Sequence, residues 1–322
     1  MSTSPTPPIE LTGRGSHFAG AGVGLPDDLL DTLGTICELV TDDDAVAESS
    51  RDWWPLALHW SIAGEVPRLA DAVVRPSTTE QVAAVASACT IARVPLTVAG
   101  GRSGVCGAAI PVFGGVVLDT TALVGVLSVD ERSGVVEVWA GTFGPDLERV
   151  LQDDHGISVG HFPQSFDIAT VGGWVASRGA GQYSTRYGKI EDMVIGLEAV
   201  LADGTVIVTG GAPAAAAGPD LTQLILGSEG TLAIITKVWL RTHPLPPAER
   251  RAAYVFGSFA EGVEACRLVM RAGATPAQQA LHCRPAVHEH ERRPRAGVFR
   301  RWRRGGHHDG AVTLSLAVCN RT

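Results

Sequence analysis

Three glycine-containing loops hold the residues of this sequence whose types and spacing could do chemistry. They read TVAGGRSGVCG at 97–107, HFPQSFDIATVGGWVASRGAGQYSTR at 161–186 and GSEGTLAIITKVWLR at 227–241. Glycine permits close backbone approach and positive φ, so that several N–H groups can converge on a diphosphate. Ser103, Ser165 and Thr170 add hydroxyl donors without negative charge. The loops therefore predict a site for a flat, anionic, amphipathic ligand in preference to a metal ion or a basic substrate.

His161 is the candidate catalytic residue of the second loop. An imidazole titrates near neutral pH and serves as an acid, a base or an anion partner. A structural histidine bonded to a backbone carbonyl is the alternative. We expect no metal site, because the six cysteines lack a C-x-x-C pair and the triplet Asp42–Asp44 has no further ligands at useful spacing. That triplet is typical of a solvated helix start.

The composition limits the class of protein. With 322 residues, 45% of them hydrophobic, the chain is long enough for two domains or one large α/β domain with a buried core. It has no run near the roughly 18 apolar residues of a membrane span. Its start, MSTSPTPPIE, lacks the basic and apolar regions of a signal peptide. We therefore expect a cytoplasmic protein without an integral membrane segment.

The elements that must position the loops combine crossovers and hairpins. Residues 1–25 are rich in Gly, Pro, Ser and Thr and predict a mobile tail, followed by a helix from Pro26. A strand, a helix capped by Ser77 or Thr78 and a second strand are predicted over 70–99. The remaining predicted elements are a hairpin at 127–141, a helix from Pro145, a hairpin around Asp203-Gly204, a short helix within 218–227 and a strand at 231–241. This mixture predicts an α+β fold.

The last 42 residues, 281–322, depart from this pattern. They hold nine Arg against three acidic residues, and 281–308 show no hydrophobic period, so we expect little packed structure there. Our hypothesis is a frameshifted or truncated reading frame. A nucleic-acid arm, in which arginines with Phe299 and Trp302 bind phosphates and bases, is the disfavoured alternative. We expect no nucleic-acid partner.

The order of four segments resembles a known family. The segments are VVRPSTTEQV, LTVAGGRSG, GHFPQSFDIATVGGWVASRGAGQYSTRYGKIEDMV and GPDLTQLILGSEGTLAIIT. They resemble the FAD-binding domain of the vanillyl-alcohol oxidase type, the PCMH fold, and within that superfamily alkyldihydroxyacetonephosphate synthase and its bacterial homologues. The resemblance implies an FAD-binding domain of two α/β subdomains, with a truncated or aberrant cap domain at the C-terminus. It divides the chain into an N-terminal tail and helical segment (1–68), the FAD-binding domain (69–247), the start of the cap (248–280) and an Arg/His-rich irregular tail (281–322).

The resemblance also implies which residues hold the flavin. A diphosphate loop is implied at Val98, Ala99, Gly100, Gly101, Arg102 and Ser103. The second loop would line the diphosphate and the flavin side with Gln164, Ser165, Thr170, Val171, Gly172 and Gly173, followed by Ser177, Arg178, Gly179 and Ala180. Glu229, Gly230 and Ile235 would close the pocket through backbone contacts. In the synthase, a histidine at the position matching His161 lies near the flavin.

The attachment of the flavin is expected to be noncovalent. Covalent relatives attach it through a histidine, often at the loop position that Arg102 holds here. Because arginine stays protonated, it cannot attack the flavin methyl group. His161 and Cys106 are the disfavoured alternative attachment points.

The leading functional hypothesis is synthase-like chemistry, in which a fatty acid leaves dihydroxyacetone phosphate and a fatty alcohol replaces it without net oxidation. Small-molecule or lipid-like substrates would follow. A D-2-hydroxyacid dehydrogenase, such as a lactate or glycolate oxidase, is the second enzyme hypothesis, because it shares the fold and loops. A noncatalytic FAD-binding remnant is the third. A chain without most of its cap would expose the surface that the cap covers, which predicts self-association, for example as a homodimer.

Overall fold

The computed structural model describes residues 8–211, 216, 218–283 and 312–320, which lie in two compact units. The first unit is Met1–Ala180 with Lys189–Pro244, and the second is Gly181–Gly188 with Leu245–Thr322. In the described part of the chain, the helices are α1 (Asp27–Ile36), α2 (Asp43–Ser49), α3 (Pro55–Ser61), α4 (Thr79–Ala92), α5 (Gly144–His155), α6 (Val171–Ala176), α7 (Ser184–Tyr187), α8 (Ile190–Met193), α9 (Leu221–Ile225) and α10 (Phe259–Arg271). The strands there are β1 (Glu38–Val40), β2 (Ala72–Arg75), β3 (Leu96–Ala99), β4 (Val116–Asp119), β5 (Val126–Asp130), β6 (Val135–Trp139), β7 (Ile157–Ser158), β8 (Val194–Val200), β9 (Val206–Thr209), β10 (Ile234–Arg241), β11 (His243–Pro244), β12 (Ala248–Phe256), β13 (Gln278–Cys283) and β14 (Val312–Asn320).

The first sheet of the first unit has the order β1-β2-β4-β3. Strands β2 and β3 both run parallel to β4, so β2-α4-β3 is the predicted crossover unit. Thr78 caps α4, because its hydroxyl accepts a hydrogen bond from the backbone N–H of Gln81 at 3.2 Å. Leu33, Val85 and Leu118 are fully buried in the core between α1, α4 and this sheet. The crossover leaves the C-terminal ends of β3 and β4 side by side, where the first glycine loop begins.

The second sheet of the first unit is antiparallel, with the order β5-β6-β10-β8-β9. It contains both predicted hairpins and the predicted long strand. Glu198 on β8 ties this sheet to α4: its carboxylate accepts hydrogen bonds from the Thr79 hydroxyl at 2.6 Å and the Thr236 hydroxyl at 2.9 Å. Lys237 completes the group as an ion pair at 3.1 Å. Every polar group of this half-buried cluster is therefore paired, which suits a purely structural role.

The N-terminal segment is not the mobile tail that its composition predicted. Ile9 is 6% exposed and packs with Ala47 and Val66. Ser16 forms a β-bridge with Arg68, and Val23 forms one with Gly114. A chain rich in Gly and Pro still folds against a domain when its few apolar residues find a core and its backbone finds partners. Residues 1–7 lie outside the described residues.

The second unit contains an antiparallel sheet of order β12-β14-β13 and helix α10. The expectation of an irregular tail over 281–322 is wrong at β14, which pairs with both neighbouring strands. Its sequence, VTLSLAVCN, alternates apolar with smaller or polar residues, as a strand does. The charge of the preceding arginine run concealed this pattern. Residues 284–311 lie outside the described residues, so the frameshift hypothesis stays a prediction.

Every helix in the described part of the chain is shorter or more polar than a bilayer-spanning segment would be.

Candidate cofactor site

The first and second glycine loops approach each other at backbone distance. The first loop begins at Gly100, directly after β3 ends at Ala99. A Cβ built on Gly100 would lie 2.5 Å from the hydroxyl oxygen of Thr170, and one on Gly101 would lie 2.1 Å from the carbonyl oxygen of Ile168. A side chain at either position would displace the second loop. Glycine is thus required here by close approach, and the two loops lie against each other at backbone distance.

Backbone donors of the first loop remain available. Within the described part of the chain, the N–H groups of Gly101, Arg102 and Ser103 donate no hydrogen bond. Gly101 and Arg102 are nevertheless buried, and buried N–H groups normally have a partner. Successive N–H groups in a turn form a concave site for an anion. The loop therefore fits the diphosphate of FAD.

Arg102 has a strained backbone and a buried side chain. Its φ is +52°, in the left-handed region that disfavours residues with a Cβ. Its guanidinium lies 3.5 Å from the carboxylate of Asp119, which also lies 3.6 Å from Arg75. The Nε of Arg102 is buried without a hydrogen-bond partner among the described residues. A cation that is held at a backbone anion site contributes positive potential to it.

Sequence reasoning missed Asp119. Only 3% of this residue is exposed, and its carboxylate also accepts hydrogen bonds from the N–H and the hydroxyl of Thr121. The available signal was its position at the end of the buried run VVLD, beside the strand that leads into the first loop. An acid at the end of a buried strand needs a partner, and here Arg102 is one.

The first backbone N–H groups of helix α6 are already hydrogen-bonded within the protein, and the helix packs closely against the neighbouring backbone. Thr170 caps it by accepting a hydrogen bond from Gly173, and the N–H groups of Val171 and Gly172 donate to the carbonyl oxygens of Thr142 and Ala140. Because these N–H groups are already used, they cannot donate to a diphosphate. A Cβ on Gly172 would lie 2.8 Å from the Cβ of Ala140, so this glycine serves packing.

His161 is completely buried in an apolar contact. None of its surface is exposed, and its ring meets the ring of Trp174 edge to face with centroids 4.8 Å apart. Neither ring nitrogen has a hydrogen-bond partner among the described residues, so the alternative of a histidine bonded to a carbonyl is not what the structure shows. Burial lowers the pKa of His161 from 6.5 to about 4, against an opposing effect of Glu191. The ring is therefore neutral at pH 7, which leaves the roles of a base or a neutral N–H donor and removes that of a cationic anion partner.

The third loop is joined to the end of α6. The N–H groups of Gly227 and Glu229 donate to the carbonyl oxygens of Val175 and Ala176 at 3.1 and 3.0 Å. Gly230 has a φ of +80°, and a Cβ on it would lie 3.3 Å from the Cβ of Val98. The third loop therefore reaches the strand that leads into the first loop.

Arg178 contacts protein carbonyls. Its Nε donates to the carbonyl oxygen of Leu226 at 3.0 Å, and its Nη2 donates to the carbonyl oxygen of Gln223 at 2.9 Å. Its φ is +51°. These contacts fix the end of α9, directly before the third loop, to the end of α6, so the side chain acts as a clamp between these two segments.

The remaining candidates are placed less specifically. Ile235 is a core residue, 7% exposed, and pairs with Ala199 in the second sheet. Ser177 donates its hydroxyl to the carbonyl oxygen of Gly173. The side chains of Gln164 and Ser165 make no hydrogen bond within the described part of the chain. Gly179 lies against the ring of His161, with a hypothetical Cβ 3.4 Å from Nε2, and Ala180 is exposed at the end of the first unit. Residues 181–188 fall in the second unit.

Comparison with known proteins supplies a family for this geometry. The model of the FAD binding domain family matches residues 70–210. Alkyldihydroxyacetonephosphate synthase of Dictyostelium discoideum is 35% identical over 216 residues, 66% of this chain and 35% of that protein. The uncharacterized FAD-linked oxidoreductase YgcU of Escherichia coli is 39% identical over 262 residues, 80% of this chain and 53% of that protein. Glycolate oxidase subunit GlcD of Bacillus subtilis is 32% identical over 223 residues, 69% of this chain and 47% of that protein.

Solved structures agree on the fold. An alkyldihydroxyacetonephosphate synthase structure superposes with a TM-score of 0.76 at 27% identity, covering 87% of this chain and 51% of that one. A structure of p-cresol methylhydroxylase superposes with a TM-score of 0.71 at 19% identity, covering 94% of this chain and 62% of that one, which shows the fold alone. The chain spans about half or less of the length of the three relatives above.

Proposed function

Because residues 70–210 belong to the FAD-binding domain family and the chain has the PCMH fold, we propose that it works as an FAD-dependent enzyme that holds its cofactor without a covalent bond. The observation that carries this proposal is the row of N–H groups at Gly101, Arg102 and Ser103, which donate no hydrogen bond within the described residues and of which the first two are buried. These donors and the neighbouring Arg102 guanidinium would hold the diphosphate. Bound FAD supplies a two-electron acceptor.

The chemistry of Arg102 supports noncovalent binding of the flavin. Its guanidinium is permanently protonated and lies close to Asp119, so it offers no nucleophile. Cys106 is exposed on the far end of the same loop, and His161 is neutral and buried. Both remain alternative attachment points. A test of flavin release distinguishes noncovalent binding from attachment at either residue.

His161 is the proposed catalytic group. A neutral imidazole with two unused nitrogens in an apolar contact can accept a proton or donate one hydrogen bond, depending on its tautomer. Since burial keeps its pKa at about 4, it stays unprotonated over the physiological range. This suits a base or a neutral donor, and because none of the ring is exposed in this structure, its contact with a substrate is itself part of the proposal.

The reaction that we propose is the exchange of a fatty acyl group for a fatty alcohol on dihydroxyacetone phosphate, as in the synthases. The support is the 35% identity to the Dictyostelium synthase and the TM-score of 0.76 with a synthase structure. The C–O bond to the acyl group breaks and the fatty acid leaves as a carboxylate, the alcohol oxygen forms the new C–O bond and releases its proton, and no net oxidation occurs. A small-molecule or lipid-like substrate follows from this choice.

Oxidation of a D-2-hydroxyacid is the second candidate. It is favoured by the 32% identity to glycolate oxidase subunit GlcD. The two reactions differ in whether electrons remain on the flavin. Oxidation without an acceptor would leave a bound flavin reduced, whereas the exchange reaction would leave it oxidised after each turnover.

An anaerobic titration tests the choice. Glycolate and D-lactate are added to the FAD-loaded chain without oxygen while the absorbance near 450 nm is followed, and acyl dihydroxyacetone phosphate with a labelled fatty alcohol is tested in parallel. Label in an ether product with persistent flavin absorbance supports the synthase-like reaction. Bleaching by a hydroxyacid supports oxidation. FAD-loaded protein that does neither overturns both reactions and leaves an FAD-binding protein without these activities.

A further inference from the structure

The chain segment that ends at His161 rests on a buried carboxylate from a neighbouring helix. Glu148 lies on α5 and is 4% exposed. One of its carboxylate oxygens accepts a hydrogen bond from the backbone N–H of Val159 at 3.0 Å, and the other accepts one from the side-chain amide of Gln152 at 2.8 Å. A carboxylate this deeply buried requires such donors, because an unpaired one would be costly.

The same segment is tightened by a second local contact. The hydroxyl of Ser158 accepts a hydrogen bond from the N–H of Gly160 at 2.9 Å, and Gly160 has a φ of +80° that favours glycine. Burial raises the pKa of Glu148, while Gln152, Ser158, Val159 and Gly160 oppose that rise. The three residues directly before His161 therefore all act on one carboxyl group.

Among the residues that the structure describes, His161 has no hydrogen bond that could orient its ring. Both nitrogens lack partners among the described residues, and the ring lies edge to face against Trp174. A ring held only by packing takes its direction from its backbone and from its neighbours. The backbone just before His161 is the part that Glu148 holds.

We propose that Glu148 is a positioning residue for His161: through the N–H of Val159 it fixes the backbone that holds the imidazole against Trp174. This deepens the proposed function, because it rests on the placement of His161 beside the flavin. A carboxylate is suited to this role, since its two oxygens hold a backbone N–H and a helix side chain at the same time.

Glu198 provides a matched control. It is a half-buried carboxylate, less buried than Glu148, with hydrogen bonds to hydroxyls and an ion pair to Lys237, and it joins α4 to the second sheet. Replacing it removes a comparable number of contacts without touching residues 158–161. If E148L weakens FAD binding only because the protein is less stable, E198L should weaken FAD binding to a similar extent.

The experiment uses the FAD-loaded chain with carbon-13 in the histidine rings. The His161 resonance is identified by its absence in H161Q, and its chemical shift is compared in wild type, E148L, E148Q and E198L. The FAD dissociation constant and the flavin absorption spectrum are measured on the same samples. Urea unfolding gives the stability of each variant.

We expect E148L to shift the His161 resonance, to alter the flavin spectrum and to weaken FAD binding at least tenfold. E148Q should restore the wild-type values, because its amide oxygen accepts from Val159 and the Gln152 amide can rotate to present its own oxygen. E198L should lower stability while leaving the His161 resonance and the flavin spectrum unchanged.

Two results would overturn the proposal: an unchanged His161 resonance and spectrum in E148L, or the same changes in E198L at equal loss of stability. The proposed function fails separately. If wild type takes up no FAD, or if FAD does not affect the His161 resonance, the placement of His161 beside the flavin is wrong. The comparison of the resonance among the variants then still decides the role of Glu148.

Discussion

The burial of His161 predicts a pH dependence of stability that one substitution removes. Burial lowers its pKa in the folded protein from 6.5 to about 4, so between these values the unfolded chain binds a proton that the folded chain does not. The contribution of neutral His161 to the free energy of unfolding is thus fully present above pH 6.5 and is lost as pH falls toward 4. Each pKa unit corresponds to about 1.4 kcal/mol, so the loss amounts to roughly 3 kcal/mol.

The matched variant is H161F, which keeps a ring against Trp174 and has no nitrogen to protonate. Other histidines and carboxylates titrate in the same range, but they do so in both proteins, so the difference between the two curves isolates His161. The assay is urea unfolding of FAD-free protein, followed by circular dichroism at several pH values from 7 to 4. H161F should gain up to about 3 kcal/mol relative to wild type at the acidic end.

Parallel curves for wild type and H161F would refute the reasoning. They would mean that the imidazole is hydrated or paired in solution, with a pKa near its ordinary value. The assignment of a neutral, desolvated His161 would then be wrong.

Three further predictions concern the loops and the control cluster. G101A should weaken FAD binding at least tenfold in a titration, because its Cβ meets the Ile168 carbonyl at a cost of about 1–3 kcal/mol. The control is G104A, whose Cβ lies at an ordinary contact distance of 3.7 Å from Asp52 and which should bind FAD like wild type. R178A should lose the hydrogen bonds to the carbonyl oxygens of Gln223 and Leu226 and make the peptide bond after Leu226 cleavable by limited proteolysis. Protection equal to that of wild type would contradict the role of Arg178 as a clamp. E198L should cost about 2 kcal/mol in urea unfolding with FAD affinity unchanged, and a matching loss of affinity would contradict a structural role.

The meeting of the three loops was predictable from the sequence, whereas the use of their donors was not. Repeated glycines after strands already indicate close backbone approach, and Gly101 shows it at 2.1 Å from the Ile168 carbonyl. Whether each N–H group is hydrogen-bonded within the protein depends on residues that are distant in the sequence. Val171 and Gly172 lose theirs to carbonyls of the loop after β6, so the first loop is left as the donor surface.

The errors at both ends of the chain have one physical cause. Average composition predicted a tail at the start and an irregular end, but Ile9 needs only a few apolar neighbours to be buried. The alternation in β14 is likewise local and survives beside a run of arginines. His161 illustrates the opposite limit, because its side chain type indicated chemistry while only the fold revealed its burial.

Release of the flavin tests the central claim most directly. The purified chain is supplied with FAD and freed of excess, and its visible spectrum is recorded before and after acid precipitation. We predict a yellow protein whose colour moves to the supernatant, as a dissociable flavin held by the N–H groups of Gly101, Arg102 and Ser103 requires. A colourless protein that takes up no FAD would contradict the site, and colour that stays in the pellet would contradict noncovalent binding.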